Sequence, residues 1–472
     1  MSAAADNRSS ARLEPVARPV AAVASAPLPW GQIAIIAFIR FCDPLALLIV
    51  FPILPRWLVE IGAVDDIRRA GYVAGLVESA FSASLTLTLL VWGRASDRFG
   101  RKPVLYLGLL GQIVSLLAMG MSTSLTGMVL ARLLAGAFSA NLGALNSMLG
   151  ELTTADNQAA AFSALPIAAG LGASIGPALA SAFAHPVERF PAAFGGIELL
   201  RRHPYLLSLS SAACFSGLAL ALCAFGLRET LPAVSRARSG ETEPLLQTAS
   251  AAKPKPWREL LSPELVTLLV AQSLNAFLGT SSLTIFPLFA ATPVDSGGLG
   301  WDIGETAIAF ALRGSALIVV QLIVFVPLSR RLGWTRFFRT CAATYCVVVL
   351  SPILANAIAR AGFRPHAEWV VMAPLMVLWS ASNQIVAVMA VLTNALAPSP
   401  RELGTLQGLS LTCISAVRTF APALTSALFA LSVDRDILGG QLAFVVLGLV
   451  GLAGFAASLR VHEARPSWRD DR

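Results

Sequence analysis

A few ionisable side chains sit inside long apolar runs of this sequence, where a charge is costly and seldom idle. Arg40 and Asp43 stand three residues apart in IRFCDPLALLIVFPILP, one helical turn apart on a shared face, and Pro44 follows directly. A carboxylate in such surroundings is the kind of group that binds and releases a proton during a working cycle. An internal Arg40–Asp43 ion pair that only holds the helix in place is the competing reading. Glu78, in GLVESAFSASLTL, is another ionisable group, near the outer third of its helix. Arg132, in ARLLAG, is a basic group in the same kind of setting, with a purely structural pairing as its alternative. Arg313 and Arg418 add two more cations, so arginines outnumber acids inside the apolar runs. That balance suits an anionic or amphipathic organic solute.

Other chemistries find little support. The six cysteines lie in apolar runs without C-x-x-C spacing and the four histidines form no cluster, which excludes a recognisable metal centre. No Gly-rich phosphate loop is present, so ATP is not the expected energy source. No nucleophile, base and orienting group gather in one element, so an enzyme is not expected, and no cofactor is expected either.

The elements that carry these residues follow from composition. The chain has 472 residues, of which 56% are hydrophobic and 13% charged. That is more apolar surface than a soluble core of this length buries. About twenty apolar residues cross a bilayer, and twelve stretches qualify, near 31–54, 71–92, 103–122, 125–149, 159–184, 205–227, 264–289, 304–327, 337–359, 368–396, 405–431 and 437–459. The fold class expected is therefore an all-α integral membrane protein. Of the 35 Lys and Arg residues, 22 fall on the side of the termini and 9 in the opposite loops. This places both termini in the cytoplasm. The net charge of +8 is spread over short loops rather than gathered on one face, which argues against a nucleic-acid partner.

The domain plan expected is a disordered N-tail at 1–29, a six-helix half at 30–227, a cytoplasmic linker at 228–263, a second six-helix half at 264–460 and a C-tail at 461–472. Three paired features support duplication. Phe51-Pro52 and Phe286-Pro287 are 235 apart, Pro177 and Pro422 are 245 apart, and Asn141 and Asn383 are 242 apart. Two six-helix repeats about an axis along the membrane normal are a known transporter plan.

WGRASDRFGRKP, between the second and third spans, carries Gly93, Asp97, Arg98, Gly100, Arg101 and Lys102. It resembles the G-x-x-x-D-R-x-G-R-K element of major facilitator transporters. A basic loop explains its arginines but not its acid or its two glycines. The resemblance implies a cytoplasmic gate in which Asp97 lies against the start of span 11, near Leu406 to Leu409, and Arg101 reaches Glu151 or Asp156. The matching loop of the second half, VPLSRRLGWTR, has Arg330 where the acid would be.

Arg132 and Gly136 resemble the family's R-x-x-x-G element, associated with proton coupling. Gly170, Gly172, Gly176 and Pro177 resemble its antiporter element G-x-x-x-G-P-x-x-G-G, with Ala180 and Ser181 replacing the last two glycines. RFCDP, GPALA, HPVERFP, RRHPYLLS and RTFAP together look like the fungal and plant branch related to zinc-induced facilitator-like proteins, of the drug:proton antiporter type, over residues 31 to 460.

The resemblance implies a cavity lined by spans 1, 4, 7 and 10, for which Asp43, Arg132, Asn141, Gln272, Asn275, Asn383 and Gln384 are candidates, with Arg418 from span 11. Helix gluing is the competing reading for each polar residue taken singly. The function expected is proton-coupled efflux of a small organic molecule such as a secondary metabolite or drug, by a functional monomer in the plasma membrane. Asp43 would carry the proton, with Arg132, Glu78 and Arg40 as coupling partners. The alternatives are uptake, a vacuolar carrier of an organic anion or metal-linked solute, and a membrane nutrient sensor. ETEPLL in the linker resembles an acidic dileucine sorting signal, which keeps the vacuolar membrane open.

Overall fold

The computed structural model describes residues 28–139, 141–153, 157–230, 262–362, 366–396 and 403–461. The N-tail, most of the linker with its ETEPLL, Asp156 and most of the C-tail lie outside these residues. The described chain is helical, as a membrane interior requires, because only a helix satisfies every backbone polar group within a single segment. Among the described residues, eleven helices are long and apolar enough to cross a membrane.

In the first half, α1 spans Trp30–Leu48, α2 Ala70–Phe99 and α3 Arg101–Gly120. The fourth crossing, α4, is built from Leu125–Ala137 and Asn141–Leu152; α5 is Gln158–Phe183 and α6 Leu206–Phe225. In the second half, α7 is Pro263–Ala291 and α8 Ile303–Val319, the latter continued by a π-helical turn at Val320–Phe325. Then come α9 at Trp334–Ala361, α10 in two pieces at Trp369–Ser382 and Ile385–Ala395, α11 at Leu403–Asp434 and α12 at Leu442–Leu459. Local chemistry sets several starts. Ser124 and Ser262 accept from the amides of Gly127 and Leu265, and Asp302 with Glu305 forms a reciprocal capping box.

Three expectations need correction. The first span ends at Leu48 rather than at 54, because the Phe51-Pro52 segment forms a turn before a short helix at Leu54–Glu60. The second runs on to Phe99, so most of WGRASDRFGRKP is helical. Gly100, at φ 108°, makes the whole turn into α3. The tenth is not one continuous helix: it breaks at Asn383–Gln384, leaving a 14-residue and an 11-residue piece. The break in α4 falls at Phe138–Ser139, just before Asn141, so the two related asparagines both sit at interrupted helices. Gly108 and Gly111 of α3 make room there, since a side chain on them would strike the Asn141 amide and the Phe138 ring.

The halves meet along two helix pairs, α2 with α11 and α5 with α8. At mid-depth, Thr86 Oγ1 lies 3.2 Å from Thr419 Oγ1, and Ser174 Oγ donates to the Ala311 carbonyl at 3.1 Å. The other named contacts between halves lie towards the face opposite the termini. Arg69 Nε meets Asp434 Oδ1 at 3.0 Å, Arg56 donates to the Trp301 carbonyl at 3.3 Å, and the Phe51 and Phe310 rings are 6.2 Å apart. Gly71 and Gly75 let the start of α2 press on the backbone of Pro422, Ala423 and Ser426.

Candidate functional site

Asp43 lies in the last third of α1. Its Oδ1 accepts from Asn141 Nδ2 at 3.1 Å, across from the break in α4, and its Oδ2 accepts from Arg40 Nη1 at 3.4 Å. The Asp43 side chain keeps 16% of its surface open. Gln112 of α3, which the sequence reading passed over, donates to the adjoining Cys42 carbonyl at 2.9 Å. The glycines of α5 shape the other side. A side chain at Gly172 would meet the Phe41 carbonyl and the Pro44 ring, and one at Gly176 would meet the Leu45 backbone. Close approach of α5 to α1 therefore occurs beside Asp43, with Pro177 the next residue of α5. Gly170, on another face of α5, abuts Ile318 and Gly314 of α8.

Arg132 is not a neighbour of Asp43 in this arrangement. Its guanidinium forms a buried ion pair with Glu78 of α2 and stacks 5.2 Å over the Phe81 ring. Gly136, one turn further, allows this approach, because a side chain there would strike the Phe81 carbonyl. The expectation that Arg132 acts on Asp43 is corrected accordingly: the carboxylate it meets is Glu78. A charge this deeply buried needs its opposite at contact distance, and Glu78 supplies it.

The Gly93–Lys102 element is held within the first half. Arg101 reaches Glu151 Oε1 at 3.2 Å, Asp97 Oδ1 at 2.5 Å and Ser96 Oγ at 3.0 Å. Lys102 Nζ donates to the carbonyls of Ala224 and Leu227 at 2.8 and 2.9 Å. Glu229, just past α6, accepts from the Arg101 and Lys102 amides at 3.0 and 3.1 Å and so caps α3 from another part of the chain. The sequence reading missed Glu229; the signal was an N-terminus that begins Arg-Lys with no acid of its own. Asp97 departs from expectation. Its side chain is 73% exposed and bonded to Arg101, so it is not packed against the start of α11. Arg98 lies 5.4 Å over its neighbour Phe99, and Gly93 faces open space.

The polar residues of the second half divide. Gln272 donates to Thr393 Oγ1 at 2.8 Å and accepts from Ser410 Oγ at 2.5 Å, tying α7 to α10 and α11. Asn275 donates to the Ala271 carbonyl of its own helix at 2.8 Å. Asn383 and Gln384 mark the α10 break, the first half-buried and the second buried. Arg418 is exposed on α11 at a position between Thr419, which meets α2, and Thr425, which bonds Ser281 of α7. It therefore faces the space between the halves and not the bilayer. Arg313 of α8 lies 4.2 Å over the Trp379 ring.

Two packed helical halves, an intrabilayer acid and a charged element between the second and third helices form a transporter's frame, and comparison with known proteins agrees. Residues 36–422 match the sequence pattern of the family described as Major Facilitator Superfamily. The chain belongs to this family. Its relatives include the efflux pump azaK of Aspergillus niger, 29% identical over 422 residues, covering 89% of this chain and 85% of azaK. Protein ZINC INDUCED FACILITATOR 1 of Arabidopsis thaliana is 25% identical over 452 residues, covering 92% and 91%. Among solved structures, the D-xylose–proton symporter superposes with a TM-score of 0.66 at 14% identity over 92% of this chain and 98% of its own, a likeness of fold. The chain is thus a multi-pass membrane transporter of the twelve-helix type, related to the fungal and plant carriers named above, and not an enzyme.

Proposed function

We propose that this transporter exports a small organic molecule in exchange for protons, by alternating access, with Asp43 as the proton-bearing group. The carrying observation is the setting of Asp43. Glu78, the other acid deep in the first half, is closed off by Arg132, whereas the Asp43 side chain stays partly open and its carboxylate sits between a neutral donor and a cation. Neutralising it removes one acceptor from Arg40 and Asn141 without breaking a sealed pair, so both protonation states fit the site. The relatedness to an efflux pump supports the outward direction.

The positive-inside distribution supports cytoplasmic termini. On that orientation the named contacts between halves, from Thr86–Thr419 at mid-depth to Arg69–Asp434, close the extracellular side, and exposed Asp97 belongs to a gate not engaged. The cycle then brings Asp97 to the start of α11 when the cytoplasmic side shuts, while Arg101, Glu151 and Glu229 keep the element rigid throughout.

Comparing the metabolites exported by cells with and without the protein supplies a test solute. In proteoliposomes its flux should follow an imposed pH gradient in the wild type and ignore it in Asp43→Asn. Flux indifferent to the gradient in the wild type, with full activity of Asp43→Asn, would overturn the proton-exchange reading.

A further inference from the structure

The structure separates the four intrabilayer arginines into two kinds. In the first half both are matched: Arg132 by Glu78 and Arg40 by Asp43. In the second half, among the described residues, no carboxylate pairs with Arg313 or Arg418, and the aromatic groups Trp379 and Tyr345 stand in place of acids. Arg313 rests its plane on the Trp379 ring at 4.2 Å, its Nε is buried without a hydrogen-bond partner, and its carbonyl accepts from Ser380 Oγ at 2.6 Å, which fixes the backbone of α8 against α10. Arg418, on α11, is exposed to the space between the halves, and both guanidiniums lie within electrostatic reach of the buried Tyr345 hydroxyl.

We infer that Arg313 and Arg418 form an anion subsite in the second half that binds the carboxylate of an organic solute. The inference rests on the transport reading above and narrows its substrate class. A cation at membrane depth is costly unless matched, and stacking on tryptophan contributes only about 0.5–2 kcal/mol. Two unmatched cations within reach of one buried tyrosine therefore sum to a strongly positive local field, enhanced by low-dielectric surroundings. The planar fork of each guanidinium suits a carboxylate in two-point contact. Trp379 covers one face of the Arg313 guanidinium, and the N–H groups at its edge are the ones a carboxylate would meet. An amine-bearing solute would meet repulsion in the same place, so the site selects by sign as well as by fit.

Binding of three matched probes tests this: 1-naphthoate, neutral 1-naphthamide and cationic 1-naphthylmethylamine, titrated at fixed pH into the full-length protein in phosphatidylcholine nanodiscs. The wild type should bind naphthoate at least about tenfold more tightly than naphthamide, and the amine most weakly. Arg313→Gln with Arg418→Gln should erase the preference for the acid while leaving naphthamide binding in place. Arg313→Lys with Arg418→Lys should restore part of it, which separates loss of charge from loss of fold. Equal affinity for acid and amide, a preference that survives the double Gln variant, or no binding of any probe would overturn the inference. No gradient is imposed and no flux is scored, so a failure of proton coupling does not move this readout.

Discussion

Glu78 of α2 and Arg132 of α4 form an ion pair buried from both cavity and bilayer, with side-chain exposures of 5% and 4%. Breaking such a pair from one side leaves a bare charge at membrane depth. Glu78→Gln should destabilise the purified protein by about 3–5 kcal/mol, read as a lower melting temperature in detergent. The double replacement Glu78→Leu with Arg132→Met should recover most of that loss. A double variant as unstable as the single one would show that the pair is needed for more than mutual neutralisation.

Asn141 holds the Asp43 carboxylate at 3.1 Å from the broken fourth helix. Asn141→Leu keeps volume and removes the donor. A charge-assisted hydrogen bond contributes about 1.5–3 kcal/mol, so gradient-driven flux in proteoliposomes should fall about tenfold or more. Solute counterflow without a gradient should change less. Equal loss in both assays would assign Asn141 to solute binding.

The two motif glycines should behave oppositely. Gly93 has nothing near the place of a Cβ, so Gly93→Ala should leave the melting temperature unchanged or raise it, as helix propensity favours alanine by about 0.5–1 kcal/mol. Its effect belongs on transport, if closure brings α11 over that spot. Gly100 has φ 108° and the Glu229 carboxylate beside it. Gly100→Ala should cost about 1–3 kcal/mol through strain in a region reserved for glycine.

A pH effect should arise in the loop between α5 and α6. His185 Nε2 lies 3.2 Å from Glu60 Oε1, and that hydrogen-bonded acid raises its pKa above the usual 6.5. A raised folded-state value means that the stabilisation is complete below about 6.5 and is lost as pH rises through the folded value. Melting temperature should therefore fall between pH 6 and 8.5 by more in the wild type than in Glu60→Gln. Tyr205 donates to the same Glu60 oxygen at 2.9 Å, and its hydroxyl lies 3.2 Å from His185 Nε2.

The twelve crossings were legible because a bilayer imposes a length and an apolarity on each. The Arg101–Glu151 contact could be anticipated because a recurring motif links residues that spacing alone does not. What was not legible depended on pairings across the bundle. Glu78 and Arg132 are 54 positions apart, and nothing in either helix singles out the other as its partner. The Asn383–Gln384 break hides in an apolar run with no proline at the break. The helical end of α2 was read as a loop because it is charged, although Arg, Ala and Ser continue a helix readily until Gly100 stops it. Asp97 was assigned its place by the motif resemblance alone, whereas the structure pairs it with Arg101 one turn along the chain.

The unequal matching of arginines in the two halves bears on membrane voltage. A charge carried through the whole field is worth about 2.3 kcal/mol per 100 mV, and rocking of the second half would move Arg313 and Arg418 through some fraction of it. When the subsite is empty, those two cations make reorientation sensitive to the potential. A bound carboxylate cancels part of their charge, so loading the carrier would also loosen the electrical hold on it. On the same reading the Glu78–Arg132 pair contributes little to that hold, whereas Arg40 would add to it whenever Asp43 is protonated.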